Sequence, residues 1–274
     1  MKLLIIFVLY KKKLSEIPFF MDADCIEHDI DVYVHDNSPA AQSVPYGKNV
    51  NYFHCGENKG VSHAYNRGFE IAFTKNKDCV LLLDQDTTFK VKDLIEYKSA
   101  YRKYSNAFIY APCICDFKQS KQYSPALMKN FVGYVRSFRK ISSAQPYNLD
   151  GYSAINSGLM IPMSIVKKIG GYNENIKLDF SDVYFIEKYK EVNNHLILLP
   201  VVLVHSLSGD EGYDKERELH RFKFYCVGAR ELADSLNQRT LFTVIRRAAR
   251  LIIKYHSLNP ITTLAKYYFS DGIL

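Results

Sequence analysis

The chain of 274 residues contains no tryptophan and lacks several patterns that would assign it to a class at once. Its six cysteines include one Cys113-x-Cys115 pair, but no second pair stands at zinc-binding spacing. We therefore expect free thiols, no zinc knuckle and a reducing, cytoplasmic location. The absence of a Walker loop and of a Gly-x-Gly-x-x-Gly fingerprint disfavours ATP-type P-loop chemistry and NAD chemistry.

Long hydrophobic runs are missing as well. The apolar run Leu3–Tyr10 is too short to span a bilayer. Lys11, Lys12 and Lys13 follow it, where a secretory signal would carry small residues before its cleavage site. We therefore interpret this run as a first buried strand and expect no targeting signal.

Positive charge is concentrated near the end of the chain. The net charge is +7, and the segment from Arg239 onward holds six basic residues against Asp271 alone. Such a local basic surface argues against a general nucleic-acid-binding protein, so we expect no nucleic acid partner. Helical spacing over 239–256 gathers the basic residues on one arc and apolar residues on the rest. This basic amphipathic helix either packs on the protein with its cations solvated or lies at a membrane surface with anionic headgroups.

Strand-like and helix-like segments alternate along the first part of the chain, which predicts an α/β fold with a parallel sheet of right-handed βαβ units. The predicted strands are Leu3–Tyr10, Ile30–His35, Val50–His54, Cys79–Asp84, Ala107–Cys115, Ala154–Pro162 and Leu196–Val204. The predicted helices are Val61–Thr74, Val91–Tyr104, Ser164–Ile169 and one that begins near Asp182. We expect loops and at most an irregular strand pair over 116–152. The predicted domains are an α/β domain at 1–215 and a C-terminal helical region at 216–274.

The most informative segment is an apolar strand that ends in two carboxylates, Asp84 and Asp86. Residues two apart in a strand project to the same side, and ligands collect at the carboxyl ends of parallel strands. Hard oxygen ligands at such an end suit a divalent cation that carries a diphosphate. The alternative is that Asp86 merely caps the following helix.

Two further turns fall at predicted strand ends. The turn that begins at Asp36 would lie at the same sheet edge as Asp84, where its carboxylate could accept the imide N–H of uracil or thymine; it could also be an ordinary turn. The segment Asn58–Gly68 leads through a glycine turn into a helix N-terminus. Such an end favours phosphate, and Lys59 and Arg67 add positive charge.

The order of these pieces is more specific than any one of them. The segments VYVHDNSPA, NVNYFHCGENKGVSHAYNRGFEIA and VLLLDQDTTF, followed by INSGLMIPMSIVKKIGGYNENIKLDFSDVYF, resemble the bacterial family 2 glycosyltransferases of the A-type nucleotide-sugar fold. The chain looks most like the rhamnosyltransferase-like group, in which the metal motif commonly reads Asp-Gln-Asp. The resemblance covers about residues 3 to 210. It implies an α/β, Rossmann-like fold with a mixed, mostly parallel sheet flanked by helices and a C-terminal helical extension.

The resemblance implies roles for individual residues. It assigns Tyr10 and Asp36 to the base, Asn58, Gly60 and Asn66 to the donor site, Asp84, Asp86 and His205 to a Mg²⁺ or Mn²⁺ ion, and Asp182, with Asp179 beside it, to the general base. Taken alone, Asp182 could be a helix cap and His205 a solvated residue at a strand end. The chain departs from the family pattern at Tyr184, where Glu is common, and at Lys11, where Asn is usual.

The resemblance further implies an inverting, metal-dependent transferase with a nucleotide-sugar donor. We expect L-rhamnose to pass from dTDP-rhamnose to a lipid-linked precursor of a cell-surface polysaccharide. The basic C-terminal helix would bring the enzyme to the cytoplasmic face of the inner membrane. The alternatives are a UDP-hexose donor, a sugar-nucleotide nucleotidyltransferase and an inactive glycan-binding or assembly subunit.

Overall fold

A computed structural model describes residues 1–21, 30–43, 49–129, 131–204 and 214–270. Within these ranges the strands are β1 (Leu3–Leu9), β2 (Ile30–Asp36), β3 (Val50–His54), β4 (Cys79–Asp84), β5 (Tyr110–Cys115), β6 (Lys121–Lys129), β7 (Val132–Ser137), β8 (Gln145–Asn148), β9 (Tyr152–Ser153), β10 (Met160–Pro162) and β11 (His195–Val204). The helices are α1 (Pro18–Met21), α2 (Val61–Thr74), α3 (Leu94–Tyr104), α4 (Met163–Ile169), α5 (Ser181–Lys190), α6 (Lys215–Leu236), α7 (Leu241–Tyr255) and α8 (Asn259–Tyr267).

One mixed sheet organises these elements. Its strand order is β3-β2-β1-β4-β10-β5-β11-β8, and β6, β7 and β9 extend from β5. The strands β3, β2, β1 and β4 are parallel, as are β5 and β11, whereas β10 runs antiparallel between β4 and β5. The predicted α/β architecture with a mostly parallel sheet is therefore confirmed.

Helices cover both faces of the sheet because its central strands are apolar on both sides. Every residue of β1 is buried, and its side chains alternate between two hydrophobic clusters. Leu3, Ile5 and Phe7 pack with α1 and α3, whereas Leu4 and Ile6 pack with α2, α4 and α5. The core thus consists of two layers, one on each face of the sheet.

The structure differs from the sequence predictions in the middle of the chain. The expected strand pair over 116–152 is present as the β6–β7 hairpin, but β8 and β9 replace part of the expected loops. The predicted strand Ala154–Pro162 is reduced to its last three residues. Its earlier part turns at Ser157 and at Gly158, which has a positive φ of 82°. A turn that leaves the sheet plane interrupts the ladder despite the apolar residues on either side.

The C-terminal helices pack on the α/β domain through a third hydrophobic cluster. Phe180 and Val183 from the start of α5 share this cluster with residues of α6, α7 and α8. The predicted helix at 239–256 is confirmed as α7, which buries Val244 and Leu251. The inner face of α7 therefore packs on the protein, as the first of the two alternatives for this helix predicts. The domain boundary at 215–216 stays a prediction. The 22-residue helix α6 had no clear sequence signal, since charged residues interrupt its apolar pattern.

No helix in the described part of the chain is both long enough and apolar enough to cross a membrane.

Helix α6 approaches α5 closely at Gly228, where an added Cβ would clash with the backbone oxygen of Asp179. We expect Gly228→Ala to lower the free energy of unfolding by about 1–3 kcal/mol, because overpacking outweighs the helix propensity gained from alanine. Urea unfolding measures the change. Gly133→Ala is the matched control, since its Cβ would meet only ordinary contacts of 3.6 and 3.7 Å. Equal stability of the two variants would contradict the close approach.

Candidate active site

The carboxyl ends of three parallel strands bring the predicted residues to one sheet edge. Leu9 pairs with Asp36 and Val8 pairs with Asp84, which confirms the expected proximity of these strand ends. Strand β4 ends at Asp84, and Gln85 and Asp86 form a turn. The prediction that the strand continues through Asp86 is therefore wrong, and the shared orientation of Asp84 and Asp86 stays a prediction.

The alternative role of Asp86 as a helix cap is also wrong. The helical segment that follows begins with a short 3₁₀ turn after Lys90, and α3 itself begins after Asp93. Asp86 remains in the turn as a half-buried carboxylate, next to the end of β4.

Hydroxyl groups from two other elements orient Asp84. The Tyr65 hydroxyl on α2 donates to Asp84 Oδ1 at 2.6 Å. The backbone N–H of Asp84 donates to Ser157 Oγ at 3.0 Å, and Ser157 also bonds Thr87. Burial and the charge of Asp84 raise the pKa of Tyr65 well above its usual value, so this hydroxyl stays a donor.

Gln85 links the carboxylate motif to the loop after β1. Its Oε1 accepts from the Tyr10 backbone N–H at 2.7 Å, and its Nε2 donates to the Tyr10 carbonyl at 3.1 Å. Lys12 Nζ adds a hydrogen bond of 2.8 Å to the Gln85 carbonyl. These bonds hold the Tyr10 backbone at this sheet edge, and Tyr10 is 40% exposed, so its ring could stack on a base.

Asp36 is fully buried, and protein donors already engage its carboxylate. It accepts from Ser38 N at 2.9 Å, Gln42 Nε2 at 2.9 Å and the Tyr52 hydroxyl at 2.7 Å. Burial alone would raise the pKa of Asp36, but hydrogen bonds from Gln42, Ser38 and Tyr52 outweigh it and lower the pKa. Asp36 is therefore an ionised and fixed group, and its contact with a base stays a prediction.

The N-terminus of α2 is partly occupied by backbone groups of the segment before α5. Gly60 has a φ of 95°, and a Cβ there would clash with the backbone of Lys177. The Val61 N–H donates to the Lys177 carbonyl at 2.8 Å, and the Ser62 hydroxyl donates to the carbonyl of Ile176. The donor-site role of Gly60 stays a prediction, since the first N–H of the helix is already bonded.

Asn66 connects α2 to the same segment. Its Oδ1 accepts from the Tyr172 N–H at 2.9 Å, and its Nδ2 donates to the Tyr172 carbonyl at 3.0 Å and to Glu174 at 2.9 Å. Asn58, by contrast, is exposed and has a positive φ of 47°. The predicted donor contacts of Asn66 and Asn58 stay predictions.

Asp182 lies in the first turn of α5 and does not cap it. The cap position is Phe180, with φ 74° and ψ 0° and no side-chain cap, so the capping alternative is wrong. Asp182 Oδ1 accepts from the Val183 N–H at 2.8 Å. Burial raises the pKa of Asp182 to about 6, and the charges of Asp179 and Asp84 act in the same direction. A carboxylate that titrates near neutral pH is suited to general base chemistry.

A buried network joins the Asp84 region to the start of α5. The Tyr65 and Tyr172 ring centroids lie 5.1 Å apart, and the Tyr172 hydroxyl donates to Asn156 Oδ1 at 2.7 Å. Asn156 Nδ2 donates to Ser181 Oγ at 3.2 Å. These residues were not singled out from the sequence, although Asn156 falls within the INSG segment. The two tyrosines resemble ordinary core residues in a helix and a loop.

The residues at the sheet edge fit a divalent cation. Among the described residues no group of three or more His, Cys, Asp and Glu side chains is arranged to hold a metal, and His205 lies outside the described residues. Asp84 and Asp86 supply the hard oxygen atoms that Mg²⁺ and Mn²⁺ prefer. Mg²⁺ is commonly bound by one or two carboxylates together with substrate phosphates, so two carboxylates suffice for such a site.

Tyr184, which stands where the family commonly has Glu, is half-buried and packs against the C-terminal hydrophobic cluster. Packing between α5 and the C-terminal helices accounts for a tyrosine at this position.

The pKa of Asp182 predicts a pH-dependent stability. A raised pKa contributes stability that is complete below the unfolded pKa of about 3.9 and is lost as pH rises through about 6. Asn cannot ionise, so we expect Asp182→Asn to gain stability relative to wild type over this range, by up to about 3 kcal/mol.

Urea unfolding at pH 4 and pH 8, without metal or nucleotide sugar, measures this effect. Asp31→Asn is a control of opposite sign. Burial would raise the pKa of Asp31, but Lys75 and Lys77 outweigh burial and lower the pKa. Asp31→Asn should therefore destabilise the folded protein at neutral pH. A pH-independent effect of Asp182→Asn would contradict the prediction.

Comparison with known proteins agrees with this geometry. Residues 32–163, close to half of the chain, match the model of glycosyl transferase family 2. The fold is similar to that of GalNAc-T7, in a crystal structure with UDP, GalNAc and Mn²⁺, at 12% identity and a TM-score of 0.55 over 94% of this chain and 58% of that one. It is also similar to Staphylococcus aureus TarS, at 13% identity and a TM-score of 0.56 over 99% of this chain and 44% of that one.

A shorter form of TarS, residues 1–349 in complex with UDP-GlcNAc, has 11% identity and a TM-score of 0.52 over 84% of this chain and 66% of that one. The chain thus spans about half the length of the first two structures that it matches. No curated protein sequence matches it. The chain therefore shares the A-type fold of these glycosyltransferase structures, and its residues 32–163 are similar to glycosyl transferase family 2.

Proposed function

We propose that the protein is an inverting, metal-dependent glycosyltransferase that uses a nucleotide-sugar donor. The observation that carries this proposal is the approach of Asp182, whose pKa is raised to about 6, to a sheet edge bearing Asp84 and Asp86. Asp84 and Asp86 suit a metal ion on the leaving diphosphate, and Asp182 suits the removal of a proton.

Each group has one task in the proposed reaction. Asp182 accepts the proton of the acceptor hydroxyl while the acceptor oxygen bonds the anomeric carbon from the opposite face. The bond from that carbon to the donor phosphate oxygen breaks, and its electron pair leaves with the nucleoside diphosphate. Asp84 and Asp86 would hold Mg²⁺ or Mn²⁺, which supplies positive charge to the departing diphosphate. Tyr10 and Asp36 orient the base.

For the donor we propose dTDP-rhamnose, with a UDP-hexose as the alternative. The support for rhamnose is the resemblance of the Asp84-Gln85-Asp86 motif to the rhamnosyltransferase-like group. Gln85 itself bonds the Tyr10 backbone, so its effect on the donor would pass through the loop after β1. The alternative is supported by the UDP-GlcNAc complex of TarS.

A thermal-shift panel of nucleotide sugars with Mn²⁺, followed by turnover of the donors that bind, tests the proposal. We expect dTDP-rhamnose to raise the Tm of wild type and of Asp182→Asn but not of Asp86→Ala. Turnover should fall at least about a hundredfold in Asp182→Asn, because the proton acceptor is lost. Asp234→Asn, at an exposed position on α6, is the matched control.

The products separate the possible outcomes. Turnover of a UDP-hexose alone would overturn the rhamnose assignment and keep the transferase. Release of pyrophosphate from a nucleoside triphosphate would favour a nucleotidyltransferase. Full transfer activity in both Asp86→Ala and Asp182→Asn would contradict the mechanism.

For the acceptor we propose a lipid-linked glycan at the cytoplasmic face of a membrane, reached through the outer face of α7. Phe242, Ile245 and Ile253 are 63%, 48% and 74% exposed on this helix. Arg246 and Arg250 are exposed beside them. Apolar side chains flanked by cations suit the boundary between acyl chains and anionic headgroups.

Sedimentation with vesicles of anionic phospholipid tests this contact. We expect the double variant Phe242→Ser, Ile253→Ser to lose binding, because both side chains face outward and neither belongs to the buried cluster. Ile95→Ser removes a side chain that is 68% exposed on α3 and should bind as wild type does. Equal binding of all three proteins would overturn the membrane proposal.

A further inference from the structure

A cavity of about 190 Å³ lies beside Asp182. The β6–β7 hairpin, β9 with the segment after it, the start of α5 and helix α6 form its walls. Four aromatic side chains line it, Tyr123, Phe131, Phe180 and Tyr225. Among the described residues, none of those assigned to the base or the metal lines it.

Two of these aromatic residues have strained backbone. Phe131, at the tip of the β6–β7 hairpin, has φ 58°, and Phe180, before α5, has φ 74°. Bulky residues rarely adopt this left-handed region, and such strain concentrates at functional sites. Both strained residues line the same cavity, and they come from different elements of the fold.

The C-terminal helices hold one wall in place. The Phe180 and Tyr225 ring centroids lie 4.6 Å apart, and the Arg247 guanidinium lies 4.0 Å from the centroid of the Tyr225 ring. Asp179 is paired with Arg221 at 3.1 Å and with Arg247 at 3.7 Å. Arg221 on α6 and Arg247 on α7 thereby offset the charge of Asp179, which lies in the same wall as Asp182.

The volume of the cavity and the residues that line it limit the kinds of ligand that it can bind. A volume below about 300 Å³ is too small for a drug-sized ligand and hence for a whole nucleotide sugar. Aromatic faces attract the weakly positive C–H groups on one face of a sugar ring, and a carboxylate accepts from a hydroxyl. We propose that this cavity binds a single sugar ring of the acceptor and presents one of its hydroxyl groups to Asp182. This inference rests on the proposed transferase function.

Methionine labelling gives a direct test, because the chain has five methionines and, among the described residues, Met128 is the one that lines the cavity. Protein labelled with ¹³C at the methionine methyl groups is titrated with a panel of methyl glycosides, including those of rhamnose, glucose, galactose and N-acetylglucosamine. We expect at least one glycoside to shift the Met128 signal at up to tens of millimolar while leaving Met160 and Met163 unchanged. The variant Met128→Leu assigns the signal.

A second variant tests the site by filling the cavity. Gly133 lines the cavity, and a Cβ there would point to Ala126 and Met128 at ordinary contact distances. Gly133→Leu should therefore fold and abolish the glycoside-induced shift, whereas Gly133→Ala should reduce it little.

Loss of an aromatic wall should weaken binding without closing the cavity. Phe131→Ala should raise the Kd of the glycoside about tenfold through lost ring contact. Phe117→Ala, on a residue that is 73% exposed and outside the cavity, should leave the Kd unchanged.

The outcomes separate this proposal from the transferase proposal. Absence of any Met128 shift across the panel, or an undiminished shift in Gly133→Leu, would overturn the sugar site. A Met128 shift with no nucleotide-sugar binding would keep the sugar site and overturn the donor half of the function. UDP and dTDP, added with Mn²⁺, should not displace the glycoside.

Discussion

The hydrogen bond from Tyr65 to Asp84 is the contact on which the arrangement of the site depends. It joins the end of β4 to α2, and the aromatic contact of Tyr65 with Tyr172 continues it toward α5. From Tyr172 the chain of contacts passes through Asn156 to Ser181, next to Asp182. A leaving group at the sheet edge and a proton acceptor on a helix must keep a fixed separation, and a buried polar network provides that rigidity.

Electrostatics explains why the C-terminal helices belong to this arrangement. Asp179 and Asp84 are near enough to Asp182 for their charges to oppose its ionisation. Arg221 on α6 and Arg247 on α7 offset Asp179, and Gly228 lets α6 approach the turn that holds it. Without these cations the start of α5 would carry uncompensated negative charge in a buried place, which is costly. The helices therefore stabilise the strained turn at Phe180 that positions Asp182.

The parts of the site that the sequence predicts are those governed by local periodicity and parallel pairing. Apolar runs that end in Asp36 and Asp84 must bring these residues to one edge, because parallel strands share their direction. The rest depends on contacts between residues far apart in the chain. The amide of Gln85 bonds the backbone of Tyr10, a pairing that no spacing rule gives. The start of α2 likewise looked open to phosphate, whereas a carbonyl more than a hundred residues away occupies its first N–H.

The amphipathic pattern of α7 is a second case in which the sequence pattern alone does not predict the contacts. Its apolar arc is wider than packing alone requires, since Val244 and Leu251 are buried while Phe242 and Ile253 are exposed. Its basic arc is divided too, because Arg247 turns inward to Asp179 while Arg250 is exposed. Helical periodicity places each residue on an arc of the helix, but it does not tell which part of that arc faces the protein. The inner face of α7 stabilises the fold, so only its outer residues are available for a second surface.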